Sequence, residues 1–131
     1  MPAPTDRRYT ESHEWHKQDG DTVTIGITQH AVDELTDITY VDLPKPGKKI
    51  SAGQPFGEIE SVKATAELNS SVTGEVVEAN PALKDDPSLV NQDPYGKGWM
   101  IIVKPSNTGE LDQLLTSQQY EEFVAQGGGA H

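Results

Sequence analysis

Short runs of apolar residues, separated by Gly, Pro and Asn, dominate the chain and predict a protein built mainly from strands. Val23, Ile25 and Ile27 alternate with polar or small residues, which is the period-2 pattern of a strand with one buried face. Weak alternation around Gly57 predicts a β-bulge there. Strands are predicted at 12–17, 22–28, 38–43, 49–50, 55–62, 65–69, 72–79 and 99–103.

Helical spacing is confined to short segments at the margins of this pattern. Thr28 is placed to cap a helix over 29–35, and one helical turn is predicted at 81–84 within a Pro- and Gly-rich connector. Two C-terminal sets also have helical spacing, and Ser117 is placed to cap the second: Leu111, Leu114 and Leu115, then Tyr120, Phe123 and Val124. The pattern predicts a mainly β fold, a small barrel or sandwich with short peripheral helices.

Length and charge limit the number of domains and the classes of partner. The 131 residues suit one domain over 1–131, with a core at 9–124 and flexible tails at 1–8 and 126–131. Ten Lys and Arg against 21 Asp and Glu give a net charge of −11, which argues against nucleic acid or an anionic membrane as partner. A basic patch on another protein is compatible with this charge. The start of the chain lacks an apolar signal segment, so we expect a cytoplasmic protein.

The chain contains no Cys, which excludes disulfides, Fe–S clusters and thiolate nucleophiles. Any sulfur redox chemistry must therefore come from a cofactor. His13, Glu14 and His16 form a His-x-x-His segment, but His13 and His16 would point to opposite faces of a strand. We therefore predict no metal site. Trp15, Trp99 and Tyr40 are expected in the core.

Lys63 lies where two predicted strands meet, so it is expected at the tip of an exposed hairpin. The turn contains no Gly, Asn or Pro, which indicates that another interaction fixes its conformation. Composition and pattern alone favour a solvated turn lysine. Glu58, Glu60 and Glu67 would give the tip an acidic surround, as a solubility feature or as a docking surface for basic partners.

The segment ESVKA at 60–64 resembles the lipoylation site of the glycine cleavage system H proteins. Six further segments resemble the same family in the same order, from about Tyr9 to about Phe123: YTESHEW (9–15), IGIT (25–28), VDLP (41–44), GEVVEAN (74–80), LVNQDPYGKGWMI (89–101) and LDQLL (111–115). Biotinyl domains usually have Met on both sides of the lysine, whereas Val62 and Ala64 flank Lys63 here. Lipoyl domains of 2-oxo-acid dehydrogenases lack segments like 12–15 and 94–99.

The resemblance implies a lipoyl/biotinyl-like barrel-sandwich with lipoate attached covalently to Lys63. It implies a non-catalytic carrier that takes the aminomethyl group of glycine from the pyridoxal-phosphate-dependent glycine dehydrogenase (P protein). The tetrahydrofolate-dependent aminomethyltransferase (T protein) would receive that group, and dihydrolipoamide dehydrogenase (L protein) would reoxidise the arm. A lipoate ligase or lipoyltransferase would be a further partner, and a monomer is expected.

By position, Ser12, Glu14 and Glu67 resemble the residues that line the cleft for the lipoyl arm in this family. Carboxylates suit that place because a protonated aminomethyl nitrogen needs acceptors. The chain departs from the family pattern at two positions. Glu67 stands where a shorter acid is expected, and Glu34 stands where a histidine often occurs.

Two other functions are compatible with parts of the sequence. An H-like protein could relay lipoyl groups to other lipoate-dependent enzymes, which the sequence pattern does not distinguish from a shuttle. A small hydrolase could use Glu14 or Glu67 with a histidine, although no spacing supports it. The carrier function is the interpretation that accounts for the largest share of the chain.

Overall fold

Two antiparallel sheets make up the strand content of residues 4–126, the part that this computed structural model describes. A six-stranded sheet has the order β1-β2-β3-β9-β8-β5, and a three-stranded sheet has the order β4-β6-β7. The strands are β1 (Arg8–Tyr9), β2 (Glu14–Asp19), β3 (Thr22–Ile27), β4 (Ile38–Asp42), β5 (Lys49–Ile50), β6 (Pro55–Ser61), β7 (Thr65–Asn69), β8 (Gly74–Ala79) and β9 (Ile101–Pro105).

The helices are short and lie between or after these strands. They are α1 (Gln29–Leu35), α2 (Ala82–Asp85), α3 (Ser88–Gln92), a 3-10 helix (Thr108–Gln113) and α4 (Ser117–Ala125). Thr28 caps α1 as predicted, since its hydroxyl accepts from the Ala31 amide at 3.2 Å. The predicted cap Ser117 is wrong, because Thr116 forms a reciprocal capping box with Gln119.

Three further elements of the structure differ from what the sequence predicts. Helix α3 was not predicted, because it lies in a connector whose three prolines favour turns. The segment around Leu111 forms a 3-10 helix that begins at the Asn107 cap and ends before Leu114. Strand β1 was also not predicted, since two residues are too few to show a period. The bulge is confirmed by a register shift between Pro55 and Gly57.

The inner faces of the two sheets share one apolar core. It combines side chains of β3 and β9 with those of the small sheet, among them Ile25, Ile101, Ile59 and Leu68, all of them 1% exposed or less. Tyr40, expected in this core, is 51% exposed. A register shift between Ile38 and Tyr40 leaves Ile38 and Val41 on the inner face of β4 and directs Tyr40 outwards.

An aromatic cluster lies beside the main core and ties the two ends of the described chain together. Tyr9, Trp15 and Tyr120 are buried in it, and Trp99 is partly buried against it. Two residues of the predicted tail at 1–8 contact this part of the fold: Arg8 pairs with His16 in the sheet, and the Arg7 guanidinium lies 4.6 Å from the centre of the Trp15 ring. A cation over an aromatic face is attracted to it, which holds Arg7 in place.

The ends of the predicted tails, residues 1–3 and 127–131, lie outside the described residues. Within residues 4–126, no helix combines the length and the apolar character needed to cross a membrane.

His16 is a buried histidine on β2 that the fold holds in its neutral form. Its Nε2 accepts a hydrogen bond from the Ser71 amide at 3.1 Å, so this nitrogen carries no proton. Burial lowers the pKa of His16 to about 3, because the imidazolium would lose its hydration in the interior. The unfolded chain has an ordinary histidine there, and it therefore binds a proton more readily than the folded chain.

We predict that this histidine makes the protein less stable as the pH falls below about 6.5, its unfolded pKa. Between the two pKa values the unfolded state binds one more proton, so the free energy of unfolding should drop by about 1.4 kcal/mol per pH unit. Chemical denaturation of the wild type and of His16→Gln from pH 7.5 to 4.5 isolates this effect. Equal pH slopes for the two proteins would contradict the assignment.

Candidate functional site

Lys63 occupies the exposed tip of the β6–β7 hairpin, as the sequence predicts. Strands β6 and β7 pair up to Glu60 opposite Thr65, and the chain reverses immediately beyond that pair. Val62, the preceding residue, is 69% exposed. The backbone of the small sheet thus presents this lysine to solvent.

The side chain of Ser61 fixes the turn at Lys63, which contains no Gly, Asn or Pro. Its hydroxyl oxygen accepts from the amides of Lys63 at 3.1 Å and Ala64 at 3.0 Å. The Ser61 amide donates to the Ala64 carbonyl at 2.8 Å, and the Val62 amide donates to the carbonyl of Asp37 at 3.0 Å. A serine hydroxyl can stabilise a turn in this way without glycine.

The ammonium group of Lys63 has a neutral partner. Its Nζ donates to the backbone carbonyl of Glu34, near the end of α1, at 3.1 Å. A single exposed hydrogen bond of this kind contributes little to stability, so the amine can be released at little cost. The contact also shows that α1 and the hairpin tip lie side by side.

A cavity of about 680 Å³ opens beside Lys63. Three segments form its walls: the hairpin at 63–66, the α1 residues Ala31, Glu34 and Leu35, and the loop at 11–13. Most of this lining is apolar, and Glu11, Ser12 and Glu34 are among its polar residues. The cavity has a volume typical of small-ligand sites, which are about 300–1,000 Å³.

The structure brings only one of the three predicted cleft residues into the cavity wall. Ser12 lines the cavity, whereas Glu14 and Glu67 are not among its lining residues. Glu67 is exposed on β7 and faces Glu58 across the strand pair. Glu14 is 2% exposed and lies behind Ser12, whose hydroxyl donates to its carboxylate.

Glu14 links the β1–β2 loop to the end of β7. Its carboxylate accepts from the Thr10 hydroxyl at 2.7 Å and from the Asn69 amide at 3.1 Å. Burial raises the pKa of Glu14 while the hydrogen bonds from Ser12, Thr10 and Asn69 oppose that rise. The carboxylate therefore holds Ser12 in position at the cavity wall.

His13 is the residue whose place the sequence reasoning missed. It has a left-handed backbone with φ of 72°, lines the cavity, and lies 4.6 Å from the His30 ring, centre to centre. His30 in turn lies 3.3 Å from a carboxylate oxygen of Glu34. The sequence suggests His13 only as a possible metal ligand and gives no sign that it lines a cavity. His16 is directed into the interior instead, and residues 4–126 contain no cluster of three or more potential ligands for a metal ion.

Comparison with known proteins identifies the family. The family model for the glycine cleavage H-protein matches residues 7–127. A glycine cleavage system H protein of Geobacillus sp. (strain WCH70) is 50% identical over 127 residues, which cover 97% of this chain and 100% of the relative. The chain belongs to the glycine cleavage H-protein family.

Other members of the H-protein family agree in sequence and in structure. The mitochondrial glycine cleavage system H protein of Flaveria pringlei is 48% identical over 95% of this chain and 76% of its own length. A crystal structure of a glycine cleavage system H protein from Mycobacterium marinum superposes with a TM-score of 0.85 at 40% identity. That match covers 95% of this chain and 99% of the other. The mainly β fold and the H-protein carrier role expected from the resemblance are confirmed.

We predict that Ser61→Ala loosens the lysine turn without unfolding the hairpin. The two amides at Lys63 and Ala64 lose their common acceptor, so the free energy of unfolding should fall by about 1 kcal/mol. Their hydrogen exchange should accelerate more than that of the β6–β7 ladder. Ser51→Ala, an exposed serine in another turn, is the matched control. Unchanged exchange at Lys63 and Ala64 would contradict this role for Ser61.

Proposed function

We propose that this H-protein family member carries lipoate in amide linkage on Lys63 and is a non-catalytic carrier of the glycine cleavage system. The observation that supports this most directly is the place of Lys63. It stands on a turn fixed by Ser61, exposed to a modifying enzyme, and at the mouth of an apolar cavity. A solvated turn lysine would require neither the fixed turn nor the cavity.

The residues around Lys63 fit a lipoyl group. Amide formation removes the ammonium charge at the tip, and within residues 4–126 the one hydrogen bond of that amine is to the Glu34 carbonyl. The apolar walls formed by Ala31, Leu35 and Ala66 suit a hydrocarbon chain that ends in a five-membered ring with two sulfurs. The chain itself contains no Cys that could compete with the arm in thiol chemistry.

Lys63 would hold lipoate in amide linkage, and the bound group would supply the sulfur chemistry for carrying the aminomethyl group of glycine between the P and T proteins and for reoxidation by the L protein. The protein's own residues do the positioning. Ser61 keeps the attachment point in one conformation, and the cavity walls shield a docked arm from water. Ser12 and Glu34 offer oxygen acceptors to a cationic nitrogen inside the cavity. Glu14 acts through Ser12, and Glu67 belongs to the outer face of the hairpin.

The acidic residues near the tip favour a docking surface over a solubility feature. Asp42, Glu58 and Glu67 lie directly opposite one another across β4, β6 and β7, and all three are exposed. Like charges in opposed positions destabilise a sheet. A charge row elsewhere is compensated, since Glu75 lies between Lys49 and Lys104 on the six-stranded sheet. We therefore propose that the uncompensated row, here called the acidic row, steers basic partner surfaces towards Lys63.

We predict that incubation with lipoate, ATP and a lipoate ligase adds one lipoyl group to the protein, located on Lys63. Lys63→Arg should gain no mass and should support no glycine cleavage in the reconstituted system, because its guanidinium cannot form the amide. Lys97→Arg, an exposed lysine in another turn, is the control. Intact mass and peptide mapping measure the outcome. A lipoyl group on Lys63→Arg, or glycine cleavage supported by that variant, would refute the proposal.

We also predict that neutralising the acidic row slows partner encounter. With Asp42→Asn, Glu58→Gln and Glu67→Gln combined, kcat/KM of the partner enzymes for the lipoylated protein should fall several-fold at low salt, and its salt dependence should flatten. Glu75→Gln changes the charge in the compensated row and serves as control. If each enzyme responds equally to the triple variant and to the control, the row has no docking role.

A further inference from the structure

Tyr120 on α4 connects two walls of the arm cavity without belonging to its lining. The side chain is 3% exposed, and its ring stacks on Tyr9 with ring centres 4.9 Å apart. Its hydroxyl lies 2.8 Å from Nδ1 of His13 and 2.7 Å from Oγ1 of Thr28. These two partners come from different segments of the chain.

The partners of this hydroxyl stand at the base of two different walls. His13 ends the loop wall at 11–13. Thr28 caps α1, the helix that supplies the second wall through Ala31, Glu34 and Leu35. The backbone joins the walls at the same level, since the Thr28 amide donates to the His13 carbonyl at 3.0 Å. A displacement of Tyr120 would therefore act on both walls together.

A tyrosine hydroxyl suits this linkage. Burial raises the pKa of Tyr120, so the hydroxyl keeps its proton and has one hydrogen to donate as well as lone pairs to accept. It can therefore bond to the imidazole and to the threonine at the same time. His13 also needs support, because a φ of 72° is uncommon for a residue other than glycine.

We propose that Tyr120 is a positioning residue that sets the spacing of the loop wall and the α1 wall, and thereby how well the cavity protects a docked arm. The role in protection rests on the proposed lipoylation of Lys63. The linkage between the walls is a property of the unmodified chain and can be measured without lipoate. Tyr120 acts through His13 and Thr28, not through contact with the arm.

The chain offers a matched pair of variants for the test. Tyr120→Phe keeps the ring and its stacking on Tyr9 but removes the hydroxyl between the walls. Tyr9→Phe removes the hydroxyl of the other ring in the same stack, which donates to the Pro4 carbonyl, and neither Tyr9 nor Pro4 lines the cavity. Denaturation curves for both variants show that each remains folded.

The first measurement is hydrogen exchange of the Thr28 amide in the unmodified protein. Loss of a buried hydrogen bond should speed the local opening of the walls by about 3- to 10-fold in Tyr120→Phe. Tyr9→Phe should stay within about twofold of the wild type, since only its partner at the N-terminal segment is lost. Equal acceleration in the two variants would mean that the hydroxyl has only a general packing role, and would overturn the proposal.

The second measurement is the lifetime of the aminomethyl cargo on the lipoylated, reduced protein, followed by mass. Formaldehyde and an ammonium salt load the arm: a thiol gains the aminomethyl group by forming one C–S and one C–N bond, with loss of one water. Hydrolysis adds that water back and returns the thiol, formaldehyde and ammonium. Loss should be about 3- to 10-fold faster in Tyr120→Phe than in Tyr9→Phe.

The two measurements separate this inference from the carrier function. If Thr28 exchange changes as expected but Lys63 accepts no lipoate, the linkage stands and the carrier proposal fails. If Lys63 is lipoylated but cargo loss and Thr28 exchange are equal in the two Tyr variants, the carrier proposal stands and the role of Tyr120 fails.

Discussion

The hydroxyl of Ser61 is the constraint on which the site depends. Lys63 is accessible on an exposed turn, and the proposed attachment of lipoate also requires that the turn keep one defined conformation. Glycine would close such a turn but would leave it free to adopt others. The serine accepts from two consecutive turn amides, at Lys63 and Ala64, and so fixes the backbone while leaving the lysine side chain free to extend.

The sequence predicts the parts of the fold that follow from local pattern. Alternation along β3 and the cap at Thr28 both come from neighbouring residues, and both are found in the structure. Tyr40 shows where such reasoning fails, because a register shift in β4 moves this aromatic side chain to the outer face. A shift of one position reverses every side chain after it, and nothing in the local composition announces it.

In the candidate site, too, the sequence predicts the features that depend on neighbouring residues and misses those that depend on distant segments. The position of Lys63 follows from two adjacent strands, so the sequence is sufficient to place it. The cavity is formed by three segments that are distant in sequence, and which side chains face it depends on how those segments pack. Ser12 lines the cavity, whereas Glu14 is buried behind it. The residues next to them in the sequence do not predict this difference. The role of Tyr120 depends on a contact with His13, 107 positions earlier in the chain.

The stacking of Tyr9 on Tyr120 has a consequence for the connectivity of the molecule. It brings the beginning and the end of the described chain side by side, and the Tyr9 backbone also exchanges hydrogen bonds with Leu115. The N-terminal and C-terminal parts of the described chain are therefore held together by non-covalent contacts, so that the path of the chain forms a closed ring. We expect this arrangement to tolerate circular permutation, in which the original ends are joined and new ones are opened at a surface turn such as the one at Gly20. The fold that presents Lys63 would then form even when its segments are synthesised in a different order.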